Sequence, residues 1–400
     1  MIIKKLKIVT FRNIEELEVN FIDKFNLIIG KNGSGKTNIL NSIYYLATGS
    51  TFFSTKESEL PKSGNTSFIL EGLFNQNGED IKIEIIFKDK RKIISINGKP
   101  ISSLKELIGI VPIIYFNYRT KDLILREPEI RRDFLDSSIS IMDKEYKKLI
   151  IEYQDLLTVK NSTLKKLKEE RGNFYLETLL STINEGMYEK GLLIQEKRDL
   201  FINKIKEKII NFGFRDIKID YEPKVITLQE LNKIKQDEIE RGFSLLGPHL
   251  DDIFFNRRGV DIKVLLSLGE IEELSLYIIL SLWFIFYEKL KKEPIFLLDD
   301  LFETLDRYKI ENLIDLLYNL KQVILTSFDE KVIPVELMKN SSTFFLEQHL
   351  KMYWEINIWR RLIGKTLKNS WWIFRKKRFK KKDSCQGSNI KLEDFCGWKS

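Results

Sequence analysis

Residues Gly30-Lys31-Asn32-Gly33-Ser34-Gly35-Lys36-Thr37 fit the spacing G-x-x-x-x-G-K-[ST], and they fall between an apolar stretch, FNLII, and a segment of helical pattern. Each residue type has a chemical use in that setting. Glycines let successive backbone N–H groups turn inward on a phosphate, and a helix starting at Lys36 adds the positive end of its dipole. Lys36 would reach the β- and γ-phosphates, and the Thr37 hydroxyl would ligate Mg²⁺. A second constellation, Ile295-Phe296-Leu297-Leu298-Asp299-Asp300, ends four apolar residues in two adjacent carboxylates. On a strand, neighbouring side chains point to opposite faces, so the two should divide the work, Asp299 holding Mg²⁺ and Asp300 polarising an attacking water. An Asp pair also begins many turns after strands, and it is the glycine-rich loop in the same chain that favours the chemical reading.

Such residues need a sheet to hold them. The first 115 residues are mostly short stretches of period-two character, KKLKIVTF, FNLIIG, TSFILEGLF, IKIEIIF, RKIISI and VPIIYF, punctuated by turn signals such as Asn77-Gly78 and Asn97-Gly98. One helix, Lys36 to Ala47, interrupts them. Between Pro128 and Pro223 there is no proline, and Leu, Ile, Lys and Glu recur at helical spacing. Strands and turns are expected to resume near Lys224, a long helix to run from Glu270 to about Lys291, and PIFLLDD and KQVILTS to be buried strands of a parallel sheet. About 260 residues separate Lys36 from Asp299, far more than a minimal P-loop domain needs. The fold expected is therefore α/β, a P-loop head built from both chain ends, residues 1–125 and 241–352, with a mainly helical domain inserted at 126–240 and a tail at 353–400.

Charge sets that tail apart. The chain has 66 basic and 58 acidic residues, formally +8, but thirteen basic and four acidic residues lie from Tyr353 to Ser400, so the remainder is close to neutral. Five of the six tryptophans fall there as well. Arg375 to Lys382 carries seven cations in eight positions directly behind Trp371-Trp372-Ile373-Phe374. Aromatics beside phosphate-seeking cations suit single-stranded nucleic acid, and the same composition suits a membrane surface or a solvated tail. Cys385 and Cys396 lie in the tail without a nearby histidine, so neither a zinc set nor a disulfide framework is expected. The longest apolar run, Leu274 to Tyr287, is fourteen residues, short of spanning about 30 Å of hydrocarbon. With no secretion-signal pattern in MIIKKLKIVTFRN, a cytoplasmic protein without a membrane partner is expected.

Five phrases narrow the class: FRN at Phe11–Asn13, GKNGSGKTNIL from Gly30, REPEIRRDFLD at Arg126–Asp136, LLGPHLDD at Leu245–Asp252 and FLLDDLFETLD at Phe296–Asp306. In this order and spacing they resemble the RecF family of DNA replication and repair proteins, over about residues 1–350. A mostly helical insertion between the two halves is similar to the structural-maintenance and recombination branch of the ABC ATPases. Half the insert out and half back could reach only about 75 Å, a short lever rather than a long arm.

The resemblance implies a head that sandwiches two ATP molecules at an ATP-dependent homodimer interface, each P-loop facing a signature loop of the partner. Here that loop is Ser267-Leu268-Gly269-Glu270, with Ser267 and Gly269 at the γ-phosphate. Relatives look like S-x-G-Q-x-R, whereas this chain has Glu270 and Glu272, and it has Phe53 and Leu250 where relatives show Arg. The four changes strip positive or neutral polar groups from around the nucleotide. They point to a weak ATPase or, alternatively, a non-hydrolysing ATP-bound scaffold. The resemblance further implies duplex DNA binding near single-strand gaps, help in loading RecA, and RecR, RecO and single-strand-binding protein as partners. Leu305 and Asp306 match a loop placed across the interface, and Thr326 and Ser327 stand either at the γ-phosphate sensor or simply in a turn. Arg131 and Arg132 read as a solvated helix start or as a regulatory, DNA-facing pair, and His249 reads as structural.

Overall fold

Alternating apolar residues close the first sheet. β1 (Ile2–Phe11) and β2 (Ile14–Asn20) pair antiparallel and bury Leu6, Ile8, Leu17 and Val19 on one side. The chain then enters β3 (Lys24–Ile29) and α1 (Lys36–Thr48) before returning as β4 (Ser67–Gln76), β5 (Glu79–Lys88), β6 (Arg91–Ile96) and β7 (Lys99–Pro100). Asn77-Gly78 and Asn97-Gly98 make the two-residue turns of the β4–β5 and β6–β7 hairpins. All four residues have positive φ, between 50° and 96°, the backbone a type I′ turn requires. The antiparallel order is β2-β1-β4-β5-β6-β7.

The computed structural model describes residues 1–52, 56–224, 227–303 and 307–346. Phe53, Leu305, Asp306 and the whole basic, tryptophan-rich tail lie outside the described residues. After β8 (Ile113–Phe116) and a single turn, α2 (Asp122–Leu125), come three long helices, α3 (Pro128–Met142), α4 (Lys144–Glu169) and α5 (Phe174–Asn211). Their starts reflect local chemistry. Pro128 opens α3 where its missing N–H is harmless, and the side chains of Asp143 and Asn173 accept the Tyr146 and Leu176 N–H groups at the heads of α4 and α5. The 38 residues of α5 give it a length of about 57 Å.

Strand structure resumes earlier than Lys224. IKIDYE forms β9 (Ile217–Glu222), whose alternation is short enough to hide at the end of a long helical stretch. Beyond Lys224 the chain turns helical again, in α6 (Leu228–Lys233), capped by Thr227, and α7 (Lys235–Arg241), closed by Gly242 at φ 77°. β10 (Asp252–Arg257) and β11 (Val260–Asp261) complete a three-stranded antiparallel sheet with β9.

The rest of the chain is α8 (Ile262–Leu265), α9 (Leu268–Leu290), β12 (Ile295–Leu298), α10 (Arg307–Leu317), β13 (Gln322–Ser327), α11 (Val335–Lys339) and β14 (Ser341–Phe345). It builds a five-stranded parallel sheet in the order β14-β3-β13-β12-β8. Every residue of β12 and β13 is buried, the apolar runs as central parallel strands demand and the polar Gln322, Thr326 and Ser327 of β13 with them. Strands from both halves of the described chain enter this sheet. Lys24–Ile29 pairs in register with Gln322–Ser327, and the buried Gln322 amide reaches back to β1, accepting from Ile3 N–H and donating to Ile3 O, both at 2.8 Å. One apolar core runs from Phe25, Phe296 and Val323 in the sheet through Phe286 of α9 to Ile205 and Ile209 of α5, which seats the helical segment on the head. Among the described residues no helix is long and apolar enough to cross a membrane.

Candidate functional site

The loop Gly30–Thr37 connects the C-terminal end of β3 to the first turn of α1, where an open parallel sheet leaves its crevice. Its backbone conformation is one that side chains resist. Gly33 has φ 79° and Gly35 φ 113°, and a Cβ at Gly35 would stand 2.9 Å from Asn13 Oδ1, while one at Gly30 would stand 2.8 Å from Ser34 Oγ. Asn13, from the FRN turn between β1 and β2, donates to Gly33 O and accepts from Asn38 Nδ2, both at 2.8 Å, bracing the loop from outside. Gly35 caps α1 without a side-chain hydrogen bond, and the first turn has no acidic residue. The positive end of the helix is thus left without an anion of its own. Lys31, Asn32 and Gly33 are exposed, and Ser34 Oγ is buried without a hydrogen-bond partner.

Lys36 is buried. Its Nζ donates to Gly30 O at 2.7 Å, with Asn32 Oδ1 at 3.4 Å and Asp300 Oδ1 at 3.6 Å. Thr37 Oγ1 donates to Asp299 Oδ2 at 2.8 Å. That contact joins residues 262 positions apart. Asp299 lies one residue past β12, continues its pairing by donating N–H to Phe116 O at 2.9 Å, and also accepts from Thr326 Oγ1 at 2.7 Å and Tyr115 OH at 3.0 Å. Burial raises the Asp299 pKa above the ordinary carboxylate range, opposed by the Thr326 and Thr37 hydroxyls.

Asp300 departs from a strand's alternation. It turns into the left-handed region at φ 49° and donates its N–H to Thr326 Oγ1 at 2.8 Å, so its carboxylate also comes within 3.2 Å of that hydroxyl. The two acids nonetheless keep different neighbours, Thr37 for Asp299 and Lys36 for Asp300. Thr326 bridges them at the end of β13, and Ser327 donates to Asp329 O at 2.9 Å in the turn beyond.

The residues present fit a triphosphate with Mg²⁺. A helix start without a side-chain cap, an orphaned Ser34 hydroxyl and a buried Lys36 suit the phosphates, and Thr37 with Asp299 is an all-oxygen pair. Among the described residues no group of three or more His, Cys, Asp or Glu could hold a metal ion, so phosphate and water would have to complete any such shell.

Ser267 and Gly269 open a different helix. Ser267 caps α9, and its N–H and Oγ both donate to Glu270 Oε2, at 2.8 and 2.7 Å, a capping box. Glu272 is paired with Lys121 Nζ at 2.6 Å, so this second acid is neutralised within the chain. Leu250 is exposed.

Arg131 and Arg132 do not present a solvated face. Arg131 is buried, and its fork grips Asp252 through Nε at 2.6 Å and Nη2 at 3.0 Å, while Arg132 Nη1 donates to Asp251 O at 2.9 Å. The LLGPHLDD loop, far along the chain, supplies the partners that a helix start lacks. His249 has its Nδ1 2.9 Å from Tyr153 OH, and burial pushes its pKa down to about 4. Two residues carried no signal of their own, Tyr115 on an apolar strand and Arg198 within a helix.

Known proteins resemble this chain over most of its length. The family model described as the RecF/RecN/SMC N terminal domain matches residues 2–351. A DNA replication and repair protein RecF of Bacillus cereus is 29% identical over 362 residues, covering 86% of this chain and 96% of that protein. RecF of Bacillus thuringiensis (strain Al Hakam) is 28% identical over the same length. Solved structures of the recombination mediator protein RecF of the RecFOR pathway, one with ATPrS and one with ATP, superpose with TM-score 0.77 at 28% identity. They cover 83% of this chain and 94% and 93% of those chains. The chain therefore belongs to the RecF/RecN/SMC N-terminal domain family, in its RecF branch, and its mixed α/β fold with a helical insert is that family's ABC-type head.

Proposed function

We propose that this protein is an ATP-gated DNA-binding protein of replication and recombinational repair. The observation that supports it most is the Thr37–Asp299 hydrogen bond at 2.8 Å, which draws the glycine loop and the carboxylate pair into one cradle. ATP, the ligand of the solved RecF relative, would lie along Gly30–Thr37 with its terminal phosphates at Lys36. Bound Mg²⁺ would supply charge neutralisation for the phosphates and a site for polarising water. Thr37 and Asp299 would hold that end, Asp300 would orient and deprotonate the attacking water, and Thr326 would keep the two carboxylates apart in role. Ser267 and Gly269 of a second copy would close on the nucleotide from the other side, so that ATP joins two heads around duplex DNA beside a single-strand gap. RecR, RecO, RecA and single-strand-binding protein are the partners this reading names.

Filter retention of gapped duplex DNA, with and without ATP and Mg²⁺, tests the reading together with size-exclusion chromatography. Retention and a shift to dimer should both require ATP. Equal retention in both buffers would refute gating.

A second reading, a scaffold that binds ATP without turning it over, has its own observation, since Glu270 sits on the Ser267 donors that would meet a γ-phosphate. Steady-state phosphate release by wild type and Asp300→Asn separates the two. A wild-type rate at least ~100-fold above the variant identifies an ATPase with Asp300 as its general base, whereas matching background rates identify the scaffold. Glu270→Gln keeps the capping box and removes one exposed negative charge. The ATP concentration for half-maximal dimerisation should fall ~2- to 5-fold, about 0.5–1 kcal/mol of relieved repulsion. An unchanged midpoint would show that Glu270 lies outside the interface field.

A further inference from the structure

One member of the cluster is announced by no motif. Tyr115 stands on β8, directly opposite Leu297 of β12 in the parallel ladder, and its side chain is buried. Its hydroxyl donates to Asp299 Oδ2 at 3.0 Å, the same oxygen that accepts from Thr37 Oγ1 at 2.8 Å, while Thr326 Oγ1 holds Oδ1 at 2.7 Å. The ring is itself locked. Phe52 packs against it edge-on with centroids 4.5 Å apart, and Tyr44 lies at 6.1 Å on a tilt. A phenol hydroxyl is protonated across physiological pH, so it serves as a donor here.

We propose that Tyr115 is a positioning residue for the divalent-cation end of the nucleotide site, orienting the Asp299 carboxylate through Oδ2. The inference rests on the reading that Gly30–Thr37 and Asp299 take ATP with Mg²⁺. Thr37, the other donor to Oδ2, is also the hydroxyl that would turn to a cation. An acid oriented on that side by Thr37 alone would depend on a group with a second duty. Tyr115 has no such duty, and a donor from a neighbouring strand of the same rigid sheet fixes the carboxylate whatever Thr37 does.

The test is Tyr115→Phe, which deletes one oxygen and keeps the ring packing, read by binding of a fluorescent ATP analogue as Mg²⁺ is titrated and again in EDTA. The Mg²⁺ concentration for half-maximal tightening should rise about 3- to 10-fold, with affinity in EDTA unchanged within about twofold. Thr326→Val, which removes the donor to Oδ1, should move the Mg²⁺ midpoint the same way. An unmoved midpoint in Tyr115→Phe overturns the proposal, and so does an equal loss of affinity in both buffers, which is the mark of a packing role. Wild-type protein that binds the analogue in neither buffer overturns the nucleotide reading itself and this inference with it.

Discussion

Lys36→Ala is expected to abolish ATP-dependent pairing and DNA retention together while leaving a folded protein. The buried ammonium is already held in place by Gly30 O at 2.7 Å, and the Asp300 carboxylate stands 3.6 Å away. Moving from that carbonyl to a phosphate replaces a neutral acceptor by a charged one, roughly twice as strong. Truncating one partner of a buried, hydrogen-bonded charge pair costs about 2–5 kcal/mol, hence a ~30- to ~4,000-fold loss in ATP affinity. The folded state loses a hydrogen bond to a carbonyl, about 1 kcal/mol, and the ion pair with the partly exposed Asp300. Isothermal titration with ATP and Mg²⁺, beside a denaturation curve, measures both. Affinity retained within threefold would remove Lys36 from the site and the P-loop reading with it.

Arg198→Ala should be the most destabilising single change, through a network that joins α5 to α3 and to the LLGPHLDD loop. The Arg198 guanidinium leaves α5 and spans two elements. Nη2 and Nε meet Asp136 of α3 at 2.9 and 3.0 Å, and Nη1 meets Asp251 Oδ2 at 2.9 Å and Pro248 O at 2.7 Å. Asp251 is almost wholly buried and is held from other sides by the Tyr221 hydroxyl, by Gln195 Nε2 and by Lys224 N–H. Removing the cation in direct contact with it leaves a buried carboxylate with hydrogen bonds but without that counter-charge, which costs about 3–5 kcal/mol. Against a typical total of ~5–15 kcal/mol, that is a large share. Urea unfolding of the variant should show a sharply lower midpoint with an unchanged slope. Arg198→Lys, which keeps the charge but lacks the fork, should fall between the two. A loss below about 1 kcal/mol for Arg198→Ala, the scale of a single neutral hydrogen bond, would mean that the helical segment is seated on the head by apolar packing alone.

The glycine-rich loop was legible because its requirements are local. Glycines at Gly33 and Gly35 adopt backbone angles that other residues resist, and the strand before them and helix after them each declare their own period. The hairpin turns at Asn77-Gly78 and Asn97-Gly98 were legible for the same reason. Asp299 and Asp300 were legible as a pair but not in their geometry. Strand alternation would set them on opposite faces, yet Asp300 leaves the strand at φ 49° and both acids reach the Thr326 hydroxyl. Arg131 and Arg132 misled, since a basic pair at a helix start reads as solvated until Asp251 and Asp252, about 120 residues on, close over it.

The chain's residue order alone settled the loop that can cradle phosphate, the apolar strands that must be buried, the long helices, and the need for two remote halves to meet. The first three depend on neighbours within a few positions, where spacing and backbone preference act directly, and the last follows from the roughly 260 residues between Lys36 and Asp299. Folding in three dimensions decided that Tyr115 and Thr326 reach Asp299, that Lys121 neutralises Glu272, and that Arg198 pins the helical segment to the LLGPHLDD loop. Most of these bonds join elements far apart in the chain, and a hydrogen bond or ion pair between distant groups leaves no periodic mark, because its geometry exists only once the sheet has brought the partners within about 3 Å.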